Sequence, residues 1–210
     1  MQVVSTIRRV TAPLALATAL LALGAGSANA SLLPDDGASC SDYSYSQVFL
    51  PWADPASYTP APGGDFEKNK SHWTLVAASR DSSDNEPWKV GGATDHSSLN
   101  ISDGGTALSP AMCVGIGEPD SRVFFKQTAG LPGAMLQVDV LFDDASGATQ
   151  AQTIAELGVA QQWRLSPQLL TMANLLPTIG AGSSAIAFRF TALGGSFKID
   201  DLYVDPWHKP

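Results

Sequence analysis

The chain has 210 residues and reads as one domain, or at most two small ones. Acids outnumber bases by 20 to 12; Arg8 and Arg9 lie in an acid-free leader, so residues 31–210 carry 20 − 10, a net of −10. That excess argues against a nucleic-acid surface, which needs clustered Lys and Arg, and against electrostatic attachment to anionic membranes. Beyond the leader, Gly and Pro supply 19 − 2 and 14 − 1 residues. Such a chain is rich in turns but below the roughly 25–30% of a disordered low-complexity sequence.

Residues 1–30 have the layout of a secretory signal peptide. Arg8 and Arg9 form its charged part, an apolar run follows from Leu14 to Leu23, and Ala28-Asn29-Ala30 supplies the small residues of a cleavage site. The run is too short for a membrane span, which needs about 20 residues, and no later stretch approaches that length. A twin-arginine export signal is the alternative, although Thr6-Ile7-Arg8-Arg9-Val10 lacks the rest of that pattern. The expected product is a soluble, secreted, extracellular chain beginning at Ser31 and acting as a monomer. Its two cysteines, Cys40 and Cys113, are expected to pair as a disulfide, because an oxidising compartment favours an even count with no leftover thiol.

Residues 31–64 are polar and proline-rich, with Phe49-Leu50-Pro51-Trp52 and Tyr58 as apolar anchors. They are expected to wrap over a β-sandwich domain formed by residues 65–210. Trp73-Thr74-Leu75-Val76, Trp88-Lys89-Val90 and Ser98-Leu99-Asn100-Ile101 are candidate strands; Arg80 to Pro87 is a polar loop and Asp103-Gly104-Gly105 a turn. Cys113-Val114 and Arg122-Val123-Phe124-Phe125 follow. Leu136, Val138, Val140 and Phe142 alternate with Gln137, Asp139, Leu141 and Asp143, the period of a strand with one face in the core. Asp144-Ala145-Ser146-Gly147 turns the chain into a partner running from Thr149 to Leu157. Ser166 to Leu176 fits a short capped helix by spacing but sits among strands, so both assignments stay open. Ile186, Phe188 and Phe190 mark a further strand. Many short strands between turn signals predict an all-β, antiparallel sandwich.

In the last strand, Phe197 and Ile199 share one parity and Leu202 and Val204 the other, which places a β-bulge at Asp200-Asp201. Two adjacent carboxylates there either form a surface pair at a bend or hold a hard cation such as Ca²⁺. Pro62-Gly63-Gly64-Asp65-Phe66-Glu67, with Trp73 beyond it, resembles the opening of galactose-binding-like jelly-roll carbohydrate-binding modules. Gly195 to Val204 resembles their closing strand. The resemblance implies that the two segments are neighbours and that a structural calcium sits there, with Glu67 and Asp200 or Asp201 as carboxylate ligands. The whole chain is also similar to a group of secreted actinobacterial proteins of unassigned activity. They share an N-terminal Cys, a Phe-Leu-Pro-Trp stretch, a Gly-Gly-Asp-Phe-Glu opening and an Ile-Asp-Asp ending.

No nucleophile elbow, paired-His zinc motif or strand–turn–helix phosphate loop is present. Asp95-His96-Ser97-Ser98 contains the residue types of a triad, but neighbours in one strand point to opposite faces. Asp84, Glu86, Asp139 and Asp143 look like turn and exposed-strand acids, while a carboxylate pair for glycoside hydrolysis is set in space rather than by spacing. Sugars stack on aromatic faces framed by polar groups. Trp88, after the polar loop, and Trp163, beside Gln161, Gln162 and Arg164, are the candidate platforms; the alternative is that both fill the core. The expected function is therefore non-catalytic binding of a polysaccharide or cell-envelope glycan. A structural extracellular protein without a small ligand, or a glycoside or ester hydrolase, are the competing possibilities.

Overall fold

A computed structural model describes residues 33, 43–68, 72–115, 120–171 and 183–205. The expected leader, Cys40, and most of the undecided segment 166–176 beyond Thr171 lie outside the described residues. Among the described residues a single 3-10 turn, Leu50–Trp52, precedes nine strands: β1 (Thr59–Pro60), β2 (Thr74–Asp81), β3 (Ser98–Leu108), β4 (Met112–Gly115), β5 (Asp120–Asp143), β6 (Thr149–Leu157), β7 (Arg164–Leu165), β8 (Leu169–Leu170) and β9 (Ser183–Val204). Every pairing is antiparallel, and the main path runs β2-β3-β9-β5-β6. No described helix is long and apolar enough to cross a membrane. The chain is an antiparallel β-sandwich of the jelly-roll kind, as its sequence led us to expect.

Two very long strands make the sandwich. β5 and β9 pair along almost their whole length, from Ser121 opposite Val204 to Phe142 opposite Ile186. The register of β5 against β9 breaks between Gly130 and Met135, that of β3 between Ile101 and Thr106, and that of β2 between Val76 and Ala78. These irregularities form a line across the sheet, dividing it into two halves. On one half the inward residues are Leu99, Ile101, Val123, Phe125, Phe197 and Ile199. On the other they are Ala107, Leu136, Val138, Val140, Ile186, Phe188 and Phe190. All of them belong to one buried hydrophobic cluster, so the halves face each other as two layers. The inward parity of β9 changes from even to odd across Gly194 and Gly195, as an irregularity in a strand requires.

Three expectations are corrected, two of them by this continuity. Asp103-Gly104-Gly105 lies inside β3 rather than ending a strand, and the pieces at 122–125 and 136–143 are one strand, as are those at 186–191 and 197–204. At the crossing point a Cβ on Gly130 would stand 2.5 Å from the Cα of Gly195, so only glycine lets the two backbones pass this closely. Turn residues therefore mark bends within paired strands here. The third correction is Trp88-Lys89-Val90, which is a loop; Lys89 has a positive φ of 52°, outside the extended region. For the undecided segment, the described part contains β8, which pairs with β5.

Residues 43–60 lie against the outer face of the sheet. Phe49 and Tyr58 are buried with Phe124 and Tyr203, with Trp52, Val90 and Trp163 packed around them. Asp54 anchors this layer: its carboxylate accepts hydrogen bonds from the Tyr58 hydroxyl at 2.9 Å and from Arg122 at 2.7 Å. β1 then pairs with the end of β9. Tyr43 brackets β4 through its hydroxyl, which accepts from the Cys113 N–H at 2.9 Å and donates to the Cys113 carbonyl at 3.2 Å.

Candidate functional site

The opening segment and the terminal strand are neighbours. The Ala61 N–H donates to the Leu202 carbonyl and the Leu202 N–H to the Gly64 carbonyl, while Phe66, Ile199 and Leu202 share the main core. The bulge expected at Asp200-Asp201 is present: Arg122 and Phe124 oppose Tyr203 and Asp200, one residue more on β9 than on β5. Asp201 takes a positive φ of 49°, which redirects its side chain.

Both aspartates are buried, and two further acids meet them there. Glu86, Asp95 and Asp201 each bring one carboxylate oxygen within 4.8 Å of the others. Glu86 is held by the N–H groups of Trp88 and Val90, one on each oxygen at 2.5 Å. Asp201 accepts from the Gly91 N–H at 3.1 Å through Oδ2. Asp200 accepts from the N–H groups of Glu86 and Asp201. Asp95 is 1% exposed, and both of its carboxylate oxygens, like Oδ1 of Asp201, lack a hydrogen-bond partner. Among the described residues no Lys, Arg or His forms an ion pair with these four acids.

An uncompensated buried charge is costly, so this arrangement needs either protons or a cation. Burial, followed by the charges of Asp201 and Asp95, pushes the Asp200 carboxyl up to about 10. Burial and then Asp95 and Glu86 push Asp201 up to about 8. Glu86 is also raised, chiefly by burial, and so is Asp95. Three converging carboxylates, two of them with orphaned oxygens, have the chemistry of a hard-cation site, for which Ca²⁺ is suited by its all-oxygen coordination.

Of the residues expected to ligate calcium, Asp201 lies in this three-carboxylate group. Asp200 is its fully buried neighbour, bonded to backbone N–H groups. Glu67 is outside it, accepting from the His96 N–H through Oε1 while Oε2 lies 4.0 Å from Arg80. The view of Glu86 as an ordinary turn acid is corrected, since it is fully buried. Asp95 and Glu86 escaped sequence reasoning because their partner on β9 is more than 100 positions away, and no local spacing links them. The available signal was a cluster of acids in one loop followed by Gly91-Gly92.

That same loop, residues 82–97, builds a second feature beside the first. Trp88 is 47% exposed, and its ring stacks on Phe124 at 5.2 Å between centroids, with Trp52 edge-on at 5.4 Å. Trp163 is half-buried against the same aromatic cluster. Its indole N–H donates to Asp84 at 3.1 Å, and the Lys126 ammonium lies 5.2 Å from its ring centroid. Asp84 also accepts from Lys126 at 2.5 Å and Lys198 at 2.7 Å, and Lys198 bonds Asp81 at 2.6 Å. Trp88 and Trp163 thus share an outer face with a charge-balanced strip of two lysines and two aspartates. Trp73, by contrast, is in the core, stacked near Phe190.

The remaining acids have structural partners. Asp139, also expected on an exposed surface, is almost wholly buried; it accepts from Gln137, Thr153 and Arg189. Asp143 accepts from Thr149. Asp95 is buried whereas the following His96 is exposed, so the two do not form a triad fragment.

No protein-family model matches the chain. No curated protein matches it either. Among solved structures, the chain is similar to the CBM22-1–GH10 modules of Clostridium thermocellum endo-1,4-beta-D-xylanase 10B complexed with xylohexaose, at 16% identity and a TM-score of 0.47. That match covers 69% of this chain and 28% of the other, so the chain spans little more than a quarter of that structure. The CBM22-1 xylan-binding domain of Paenibacillus barcinonensis Xyn10C matches at 16% identity and a TM-score of 0.46, over 69% of this chain and 92% of that one. TmCBM61, in complex with beta-1,4-galactotriose, matches at 15% identity and 0.38, over 69% and 94%. The structural neighbours of this chain include carbohydrate-binding modules.

Proposed function

We propose that this is a secreted, non-catalytic domain that holds a polysaccharide or cell-envelope glycan on the Trp88–Trp163 face. The observation that carries the proposal is the exposure of Trp88. A large apolar ring left half in water, stacked on Phe124 and bordered by hydrogen-bonding groups, suits stacking against the C–H face of a pyranose. The lysines of the strip are already neutralised by Asp81 and Asp84, which favours an uncharged glycan over a uronic-acid polymer.

In the same proposal a structural calcium is held by Glu86, Asp95 and Asp201, with Asp200 bracing the bulge from behind. Calcium supplies the positive charge that these carboxylates lack. The Cys40–Cys113 bridge also belongs to it. Its support is Tyr43, three residues after Cys40 in the sequence, whose hydroxyl bonds the Cys113 backbone on β4.

Pull-down on insoluble and soluble polysaccharides tests the binding. The parent is expected to be retained by at least one neutral glycan, and Trp88→Ala or Trp163→Ala to be retained less while melting as a folded protein. Retention of both variants equal to the parent's would remove this face as the site. Absence of any retained glycan across a broad panel would favour a structural extracellular role.

A further inference from the structure

The loop that carries Trp88 is also the loop that carries Glu86 and Asp95. Both oxygens of Glu86 are engaged by the turn that follows it, through the N–H groups of Trp88 and Val90. The next residue, Gly91, donates to Asp201 from the other side, and a Cβ there would stand 3.0 Å from Asp201 Oδ1. Within this turn Lys89 sits in the left-handed region, a conformation that surrounding bonds must hold. The path from the acid cluster to the exposed indole is therefore two residues long and made of hydrogen bonds to one carboxylate.

From this geometry we infer that cation occupancy of the Glu86–Asp95–Asp201 cluster controls the presentation of Trp88, with Glu86 as the positioning residue. The inference rests on the calcium part of the proposed function. Its second support is the state of Asp95 itself: its carboxylate is 1% exposed, neither oxygen has a hydrogen-bond partner, and one of them meets Glu86 and Asp201. With a divalent cation held there, Glu86, Asp95 and Asp201 keep their short separations, and Glu86 keeps the turn closed beneath Trp88. Without it, the like charges relax only by separating or by taking up protons. Of the three segments involved, Asp201 lies at the bulge of β9, flanked by Asp200, which pairs with Phe124 of β5, and by Leu202, which bonds Gly64, whereas Glu86 and Asp95 lie on the loop. The loop is the part that gives way, and Trp88 leaves its stacked position on Phe124.

The test uses the full secreted chain, stripped with chelator and then titrated with Ca²⁺ alone, while tryptophan emission and acrylamide quenching are followed. Ca²⁺ is expected to produce a saturable change that disappears in Trp88→Phe, which retains the remaining indoles, and in Asp95→Asn, which removes an unpartnered charge. Glu86→Gln is expected to bind Ca²⁺ more weakly and to show the altered emission of the stripped parent. Terbium luminescence sensitised by tryptophan reports the ion independently and should fall sharply in Trp88→Phe. A Ca²⁺-induced melting shift without any Trp88-dependent signal would overturn the coupling, as would no binding of either ion. Where a glycan is retained, its affinity should fall about five-fold or more on chelation, within the usual range of coupling between sites. If no glycan is retained in any state, the emission data still decide the coupling, so its failure and that of the glycan proposal remain separable.

Discussion

The carbonyl oxygen of Leu202 lies 2.9 Å from the point where a Cβ on Gly64 would stand. The Leu202 N–H also donates to the Gly64 carbonyl at 3.2 Å, so the two backbones are clamped at a separation that leaves no room for a methyl group. Gly64→Ala is expected to push the opening segment off β9 and to destabilise the protein by about 1–3 kcal/mol, the usual cost of overpacking. Chemical denaturation measures it; a midpoint equal to the parent's would show that the contact is not tight in solution.

Arg122 is expected to matter for attachment of the 43–60 layer. It bonds the buried Asp54 at 2.7 Å, reaches the Ser166 carbonyl and lies over the Phe49 ring. Arg122→Ala leaves the Asp54 charge buried and unpaired, which typically costs about 3–5 kcal/mol. Asp54→Asn keeps an acceptor for Tyr58 and should cost less. Limited proteolysis should show cleavage within residues 43–57 appearing first in Arg122→Ala.

The lysine–aspartate strip fixes a pH dependence. Hydrogen bonding by Lys198, and then by Ser83, holds the Asp81 carboxyl far below the usual carboxylate range. A depressed folded pKa means that the stabilisation is fully present above the unfolded value of about 4 and is lost as pH falls through the folded one. Thermal melts between about pH 5 and pH 2 should therefore fall more steeply for the parent than for Asp81→Asn. Because this pair is partly exposed, the difference at neutral pH should stay within about 1 kcal/mol.

Calcium should stabilise the fold. An ion present at about 100 times its dissociation constant adds about 2.7 kcal/mol, so chelation should lower the melting temperature visibly. Asp201→Ala is expected to lose that dependence, whereas Glu67→Gln should keep it, because Glu67 faces His96 and Arg80. An unchanged calcium shift in Asp201→Ala would show that the ion sits elsewhere.

Much of the fold was legible because one-sided burial imposes period-two alternation, as at Leu136–Phe142 and Ile186–Phe190. The bulge at Asp200-Asp201 was legible for the same reason, as a change of inward parity. The length of β5 and β9 was not: no local pattern joins 122–125 to 136–143 or 186–191 to 197–204, and only the mutual approach of Gly130 and Gly195 shows that the strands bend and go on. Nor were Glu86 and Asp95 legible, since their burial follows from a loop folding onto a strand far along the chain. Trp88 could be singled out by its polar surroundings, but its exposure is fixed by Phe124 beneath it, a contact no local pattern encodes.

Intrinsic fluorescence during titration with neutral oligosaccharides, in calcium, tests most directly whether Trp88 is the sugar platform. Stacking should shift the emission to the blue in a saturable way, with the response largely lost in Trp88→Phe and with it most of the affinity. Saturable binding, measured calorimetrically, that is equally strong in parent and Trp88→Phe would contradict it.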